Sequence, residues 1–262
     1  MENVEVITDA ELLANYAKNF TQEPAAVIET QAPASTLVKL IAGVELDGKI
    51  VTEVEIRELN GADEEAIAKA GTLGKSLSMI LRRGVVRVGN EKATDELLDQ
   101  MVSGDRDHLM LAIRSLTFGS ELTAEITCQS CSTRVPISID LNTDVPTRRF
   151  NGEWDWDIQT KLGLVKIALP DGKTQRSLME NTDLTAAELS TILLSGCILM
   201  VDGLPVVPSR IALELGIGDR EKLLKVIADN APGPRLLEVV TTCEACGEKI
   251  STPLSLASLF RL

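Results

Sequence analysis

Four of the five cysteines stand in two matched pairs, TCQSCST from Thr127 and TCEACGE from Thr242. Thiolates are the ligands of closed, tetrahedral zinc sites, and a CxxC turn lets two sulfurs meet one ion without strain. In zinc ribbons the two pairs normally lie about 15–20 residues apart. Here 111 residues separate Cys131 from Cys243. Any shared site must therefore be assembled by the fold. Other chemistries use the same residues. A thioredoxin-type CxxC sits at a helix N-terminus, where the dipole lowers the thiol pKa, and the flanks here read as strands instead. Iron in a rubredoxin-like site takes the same four thiolates, so sequence leaves zinc and iron both open. The bland alternative is four cysteines packed as small hydrophobes.

A catalytic zinc needs an open position and usually histidine, and the chain has one histidine, His108. Its counterpart in the second half is Lys222, so His108 reads as a solvated surface residue. No nucleophile–base pair can be built around it, and neither GxGxxG nor GxxxxGK[ST] occurs. The expectation is a protein without catalytic residues.

The distance between the pairs is the length of a repeat. Gly104-Asp105-Arg106-Asp107-His108-Leu109 recurs as Gly218-Asp219-Arg220-Glu221-Lys222-Leu223. Val54 and Ile56 align with Val165 and Ile167, Leu81 with Leu193, Gly84 with Gly196, Gly119 with Gly233, and Leu141 with Leu256. Cys128 and Cys131 fall on Cys243 and Cys246. The expected fold is α+β, a tandem duplication of one unit of ~110 residues with the two copies related by a pseudo-twofold axis. Each copy holds a strand, helices and a β-hairpin whose turn is the CxxC, a zinc knuckle. The four thiolates of Cys128, Cys131, Cys243 and Cys246 would then hold one structural zinc between the copies.

Local signals agree between the copies. Asp63-Glu64-Glu65 makes an acidic first turn ahead of Leu73, Leu77, Ile80 and Leu81, which form one helical apolar face. Thr185 and Glu188 form a capping box. Shorter helices are expected around Asp95–Ser103 and Ser209–Leu215. Asp105 and Asp219 are placed as N-caps, and Gly119 and Gly233 as helix stops. Period-two patterns, Leu122-Ala124-Ile126 and Val135-Ile137-Ile139-Leu141, flank the first CxxC. Residues 1–36 read as an N-terminal arm and flexible linker, 37–145 as repeat 1, 146–159 as a linker holding Trp154 and Trp156, and 160–262 as repeat 2.

Composition bounds the function. Hydrophobic residues make up 44%, charged residues 25% and aromatics 3%, so the core is aliphatic. The formal net charge of −13 repels phosphate and argues against nucleic acid as a partner. MENVEVITDAELL has no basic region followed by an apolar stretch, so it does not read as a secretory signal. The apolar run Ile192–Val207 is interrupted by Ser195, Gly196, Asp202 and Gly203, so membrane insertion is not expected. Cytosolic synthesis disfavours structural disulfides, and the unmatched Cys197 reads as a buried hydrophobe.

Arg57, Leu59, Glu64, Glu65, Leu81, Asp105, Arg106, Leu109, Arg114, Gly119, Cys128, Cys131, Asp140 and Leu141 form a pattern over residues 44–145. On these residues the segment resembles the T-even-type family of phage baseplate hub and hub-assembly proteins. The likeness continues more faintly over 160–262, where Ala228 stands in place of Arg114 and Ser255 in place of Asp140. The resemblance implies a non-enzymatic component or assembly factor of a contractile phage tail baseplate, or of a phage-derived injection system. It would be made in the host cytoplasm and incorporated in the particle, with hub, spike or wedge proteins and the tail tube as partners. The competing reading is a zinc-ribbon adaptor acting in nucleic-acid or transcription complexes.

Overall fold

The computed structural model describes residues 32–181, 183–236, 238–254 and 256–260. The arm expected over 1–36 therefore lies almost wholly outside the described residues. Its end does not, and Ser35 already belongs to a strand.

In the first half a long hairpin, β1 (Ser35–Leu46) and β2 (Lys49–Arg57), is followed by α1 (Gly61–Ala68) and α2 (Leu73–Gly84). Next come β3 (Val85–Val88), β4 (Glu91–Lys92), α3 (Asp95–Gln100), α4 (Ser103–Phe118) and the hairpin β5 (Glu121–Thr127) and β6 (Arg134–Asp140). A short strand, β7 (Thr147–Arg148), precedes the second half. The same order then recurs: β8 (Asp155–Thr160), β9 (Gly163–Ala168), α5 (Gly172–Glu180), α6 (Ala186–Cys197), β10 (Ile198–Val201), β11 (Leu204–Pro205), α7 (Pro208–Glu214) and α8 (Ile217–Asn230). After β12 (Gly233–Pro234), which pairs with β7, the hairpin β13 (Glu238–Thr242) and β14 (Lys249–Pro253) leads to α9 (Leu256–Phe260). The four-stranded sheets run β1-β2-β3-β4 and β8-β9-β10-β11 in spatial order. Every recorded strand pair is antiparallel.

Helix starts follow short polar side chains. Asn60 and Asp63 cap α1 reciprocally, and Arg57 grips the buried Asp63 carboxylate at 2.7 and 2.9 Å. Thr72, Thr94 and Asp171 cap α2, α3 and α5, and the Thr185–Glu188 capping box opens α6 as expected. The single helix expected after Asp63 is two, broken where Gly71 takes φ +82° and Thr72 starts afresh. Helix α5 and strands β1 and β8 were not foreseen, and β8 begins inside the expected linker 146–159 and runs on to Thr160. In that same segment Phe150, Trp154 and Trp156 pack over Ala42, Val102 and Leu169, so the tryptophans fill a seam between the halves.

Each half has its own core at matching positions. Val54, Ile56, Leu109 and Ile113 are buried in the first, and Val165, Ile167, Leu223 and Ile227 in the second. The end of the chain returns to the first core. Leu256 and Leu259 join it, and Arg114 Nε donates to the Leu259 carbonyl at 2.8 Å while the guanidinium lies over the Phe118 ring.

The Gly-Asp-Arg motif works differently from expectation. Helix α4 begins at Ser103 with no side-chain cap, and Asp105 is fully buried in its first turn. Strand β1 bulges between Lys39 and Val44. The amides of the bulge turn to Asp105: Ile41 N and Gly43 N donate to its carboxylate at 2.6 and 2.8 Å, with Ala42 N at 3.1 Å. Asp219 likewise accepts from the Lys161 amide at 3.0 Å, in the β8–β9 turn, and does not cap α8. The arginines match more closely. Arg106 donates to the carbonyl of Leu98, and Arg220 to that of Ala212, each eight residues earlier. His108 is half-buried against β1, where burial holds its pKa below the usual value. It is not the solvated residue expected. Gly119 ends α4 as expected, but Gly233 lies in β12, beyond the end of α8.

The pseudo-twofold expectation fails for the helical bodies, which meet through non-equivalent faces. The start of α4 packs on the β9–α5 corner and on β12. Ser103 N donates to the Pro170 carbonyl at 2.8 Å, Arg106 Nε to Gln175 Oε1 at 2.8 Å, and Arg176 pairs with the buried Asp99 at 2.7 Å. A Cβ at Gly104 would stand 1.9 Å from the Pro232 oxygen, and one at Gly172 2.8 Å from the Asp99 Cα. At the counterparts Gly218 and Gly61 a Cβ would meet nothing within 4 Å. Gly104→Ala is therefore expected to lower stability by about 3 kcal/mol or more, the cost of forcing backbones apart. Gly218→Ala, in the first turn of α8, should be neutral or slightly stabilising through helix propensity. Paired urea melts check the difference, and equal effects would contradict this packing.

The seam also titrates. Gln175 Nε2 donates to Asp107 Oδ1 at 2.5 Å, and burial pushes the Asp107 carboxyl up to about 6. Its unfolded value is about 3.9. With the folded value the higher, the contribution is fully present below about pH 4 and is lost as pH rises through 6. Asp107→Asn keeps an acceptor for Gln175 without the buried charge. It is expected to gain on the order of 1 kcal/mol at pH 8 and to flatten the pH dependence of the melting temperature between pH 4 and 7.

Candidate metal centre

The two CxxC turns are built alike. In the first, Cys128 N donates to the Thr133 carbonyl at 2.9 Å and Ser132 N to the Cys128 carbonyl at 2.9 Å. In the second, Cys243 N donates to the Glu248 carbonyl and Gly247 N to the Cys243 carbonyl, both at 2.8 Å. Ser132 and Gly247, each four residues after the first cysteine, take φ +60° and +77°. This left-handed residue turns the chain back after the second cysteine, and glycine adopts it without strain. The hairpins β5–β6 and β13–β14 thus aim both sulfurs of each pair past the end of the strands.

The folded chain closes the distance in sequence. All four sulfurs lie within 4.8 Å of one another. Cys128 Sγ is 3.7 Å from Cys246 Sγ, and Cys131 Sγ is 3.6 Å from Cys243 Sγ. The first cysteine of each pair thus faces the second of the other. A disulfide would need about 2.05 Å, and all five cysteines are free. A tetrahedron with metal–sulfur bonds of about 2.3 Å has edges of about 3.8 Å. The sulfur set therefore fits a tetrahedral metal ion. Cys128 and Cys243 are buried, with Val135, Ile126 and Ile250 packed against them, while Cys131 and Cys246 face solvent. The Thr133 hydroxyl, 3.3 Å from Cys131 Sγ, helps hold that thiol down at about 6. The thiolate, the form that binds metal, is thereby favoured at Cys131, whereas hydrogen bonds to the neighbouring sulfurs push the Cys246 thiol up to about 12.

Cys197 is held apart, in the second core, where burial pushes its thiol up to about 12. A thiol of that kind is inert near neutrality. Five further residues of the family pattern have structural partners. Arg57 holds Asp63, Asp105 holds β1, Arg106 spans the seam, Arg114 holds α9, and Asp140 accepts from the Asn142 amide at 2.9 Å. Sequence reasoning missed Asp99, Arg176 and Gln175, which join the halves. No periodicity marks them, because polar residues at a seam follow neither helical nor strand patterning. No helix among the described residues is long and apolar enough to cross a membrane.

The T4 bacteriophage base plate protein family matches residues 44–206, more than half of the chain. The match runs from β1 through the junction of the halves to β11, so it includes the first CxxC and stops before the second. No curated protein and no solved structure matches the chain. On the extent of that match, the chain belongs to the T4 bacteriophage base plate protein family.

Proposed function

We propose that the chain is a non-enzymatic structural component or assembly factor of a contractile phage-type tail baseplate, built from two copies of one unit clasped by a structural zinc. The single observation that carries the baseplate reading is the family match over residues 44–206. The duplication is supported by the recurring element order, by the matched buried pairs Val54/Val165 and Leu109/Leu223, and by the shared arginine-to-carbonyl bond of Arg106 and Arg220. Zinc is supported by the donor set, since four thiolates in two CxxC turns suit a closed tetrahedral site. Cys128, Cys131, Cys243 and Cys246 would hold the ion, which supplies a crosslink and no reaction. The acidic groups of the Asp105-Arg106-Asp107 motif are bound into β1 and the seam, which favours a structural role over acid–base work.

The partners are other baseplate proteins, at the hub, spike or wedges or where the tube begins. Assembly would take place in the host cytoplasm, with the protein then carried in the tail of a virion or of an injection particle. The test is deletion of the gene followed by electron microscopy and mass spectrometry of the particles. The expected result is incomplete or absent baseplates without the protein. Normal, infective tails in its absence would overturn the reading. Detection of the protein in purified wild-type tails would make it a resident subunit, whereas its absence from them would make it an assembly factor.

A further inference from the structure

The seam inside the chain joins two different faces, and each has a counterpart left open among the described residues. The first half contributes Asp99, Ser103 and Gly104, and the second contributes Gly172, Gln175 and Gly233. In the second half, the positions matching Asp99 and Ser103 are Leu213 and Ile217, which are 71% and 78% exposed. In the first half, the positions matching Gly172 and Gly233 are Gly61 and Gly119, where an added Cβ meets nothing within 4 Å. Beside Gly119, Phe118 is 61% exposed and occupies the place of Pro232. Leu59, Gly61, Ile67, Thr117 and Phe118 line an open groove there.

The substitutions run against what a free surface selects. A face that has lost its cover is expected to turn polar, because exposed apolar groups promote association. Here polar Asp99 and Ser103 under cover correspond to apolar Leu213 and Ile217 in the open, and the open groove is rimmed by a phenylalanine. We propose that the chain associates head to tail with further copies of itself, Leu213 and Ile217 of one copy docking in the Gly61–Phe118 groove of the next. The contact would repeat between molecules the face-to-face pairing already made within each. It rests on the duplication reading, which supplies the correspondence of positions. Because the two faces differ, the interface is heterologous and builds a ring or an open filament, not a closed twofold dimer. The thiolates are already used within the chain, so the hairpins take no part.

Two substitutions at exposed sites test this with the full chain. Ile217→Asp places an acid in the first turn of α8, where the helix dipole favours it, and Gly61→Trp fills the groove from the first residue of α1. Sedimentation velocity of the wild type across micromolar to submillimolar concentration should show masses growing beyond a dimer. Each variant alone should be monomeric. Mixed in equal amounts they should give a dimer and nothing larger, because each keeps the one face that the other lacks. Should Ile217→Asp alter the melting curve, Leu213→Asp serves in its place. A wild type monomeric throughout, or a mixture of variants that stays monomeric, would overturn the inference. Such a monomer, if still required for baseplates and still carrying one metal, would leave the proposed function standing.

Discussion

Cys128→Ser and Cys243→Ser are each expected to abolish metal binding and to destabilise the protein by nearly the same amount. The two residues lie 115 positions apart in the chain, yet both are buried at one cluster, facing the sulfurs of the opposite turn. If one ion takes all four thiolates, removing any ligand breaks the same site. Structural zinc in small fingers contributes on the order of 10 kcal/mol, against a total domain stability of about 5–15 kcal/mol. Loss of the ion is therefore expected to separate the two hairpins and to remove a large share of the stability. Two hairpins binding metal independently would give a different pattern, in which each substitution removes half of the metal and the damage stays in one half. Cys197→Ala is the control. It vacates a buried apolar site at a cost of about 1–2 kcal/mol and should leave metal content unchanged. Urea unfolding with and without a chelator, on the three variants, checks the set.

Asp105→Ala is expected to be the most damaging substitution away from the metal centre. Its carboxylate is the acceptor for consecutive amides of the β1 bulge, Ile41, Ala42 and Gly43, which have lost their partners in β2. Each buried donor left without a partner costs about 1–3 kcal/mol. Allowing for partial relaxation of the bulge, a loss of about 3–5 kcal/mol is expected, equivalent to roughly 10 °C or more in melting temperature for a unit of this size. Asp105→Asn does not rescue it fully, since its amide nitrogen would face backbone donors. Asp219→Ala removes one bond near the surface, at Lys161 N, and should cost about 1 kcal/mol. Thermal melts of the pair check the claim. Equal losses at Asp105 and Asp219 would show that the bulge does not depend on this carboxylate.

The cysteine cluster and the recurring element order were legible in the sequence because both rest on identities at nearly constant offsets. Gly-Asp-Arg, the CxxC turns and the Val-x-Ile strands each occur twice, at offsets of 114, 115 and 111 residues, and each occurrence strengthens the reading of the other. The capping box at Thr185 was readable for a local reason, since its two partners are three residues apart. What was missed depends on distant contacts. Asp105 carries the composition of an N-cap, but its role is set by a strand more than sixty residues earlier. Asp99 and Gln175 look like surface residues until the other half is packed on them. The twofold expectation came from the symmetry of the cysteines, which the hairpins do obey. The helical bodies depart from it because Gly104 and Gly172 allow a close approach of non-equivalent backbones.

The most direct test of the clasp is the metal content of the purified protein, measured by elemental analysis together with the number of reactive thiols. One zinc per chain is predicted, with Cys128, Cys131, Cys243 and Cys246 protected until the metal is removed. Two metals per chain, or none with all four thiols freely reactive, would contradict a single ion shared between the halves.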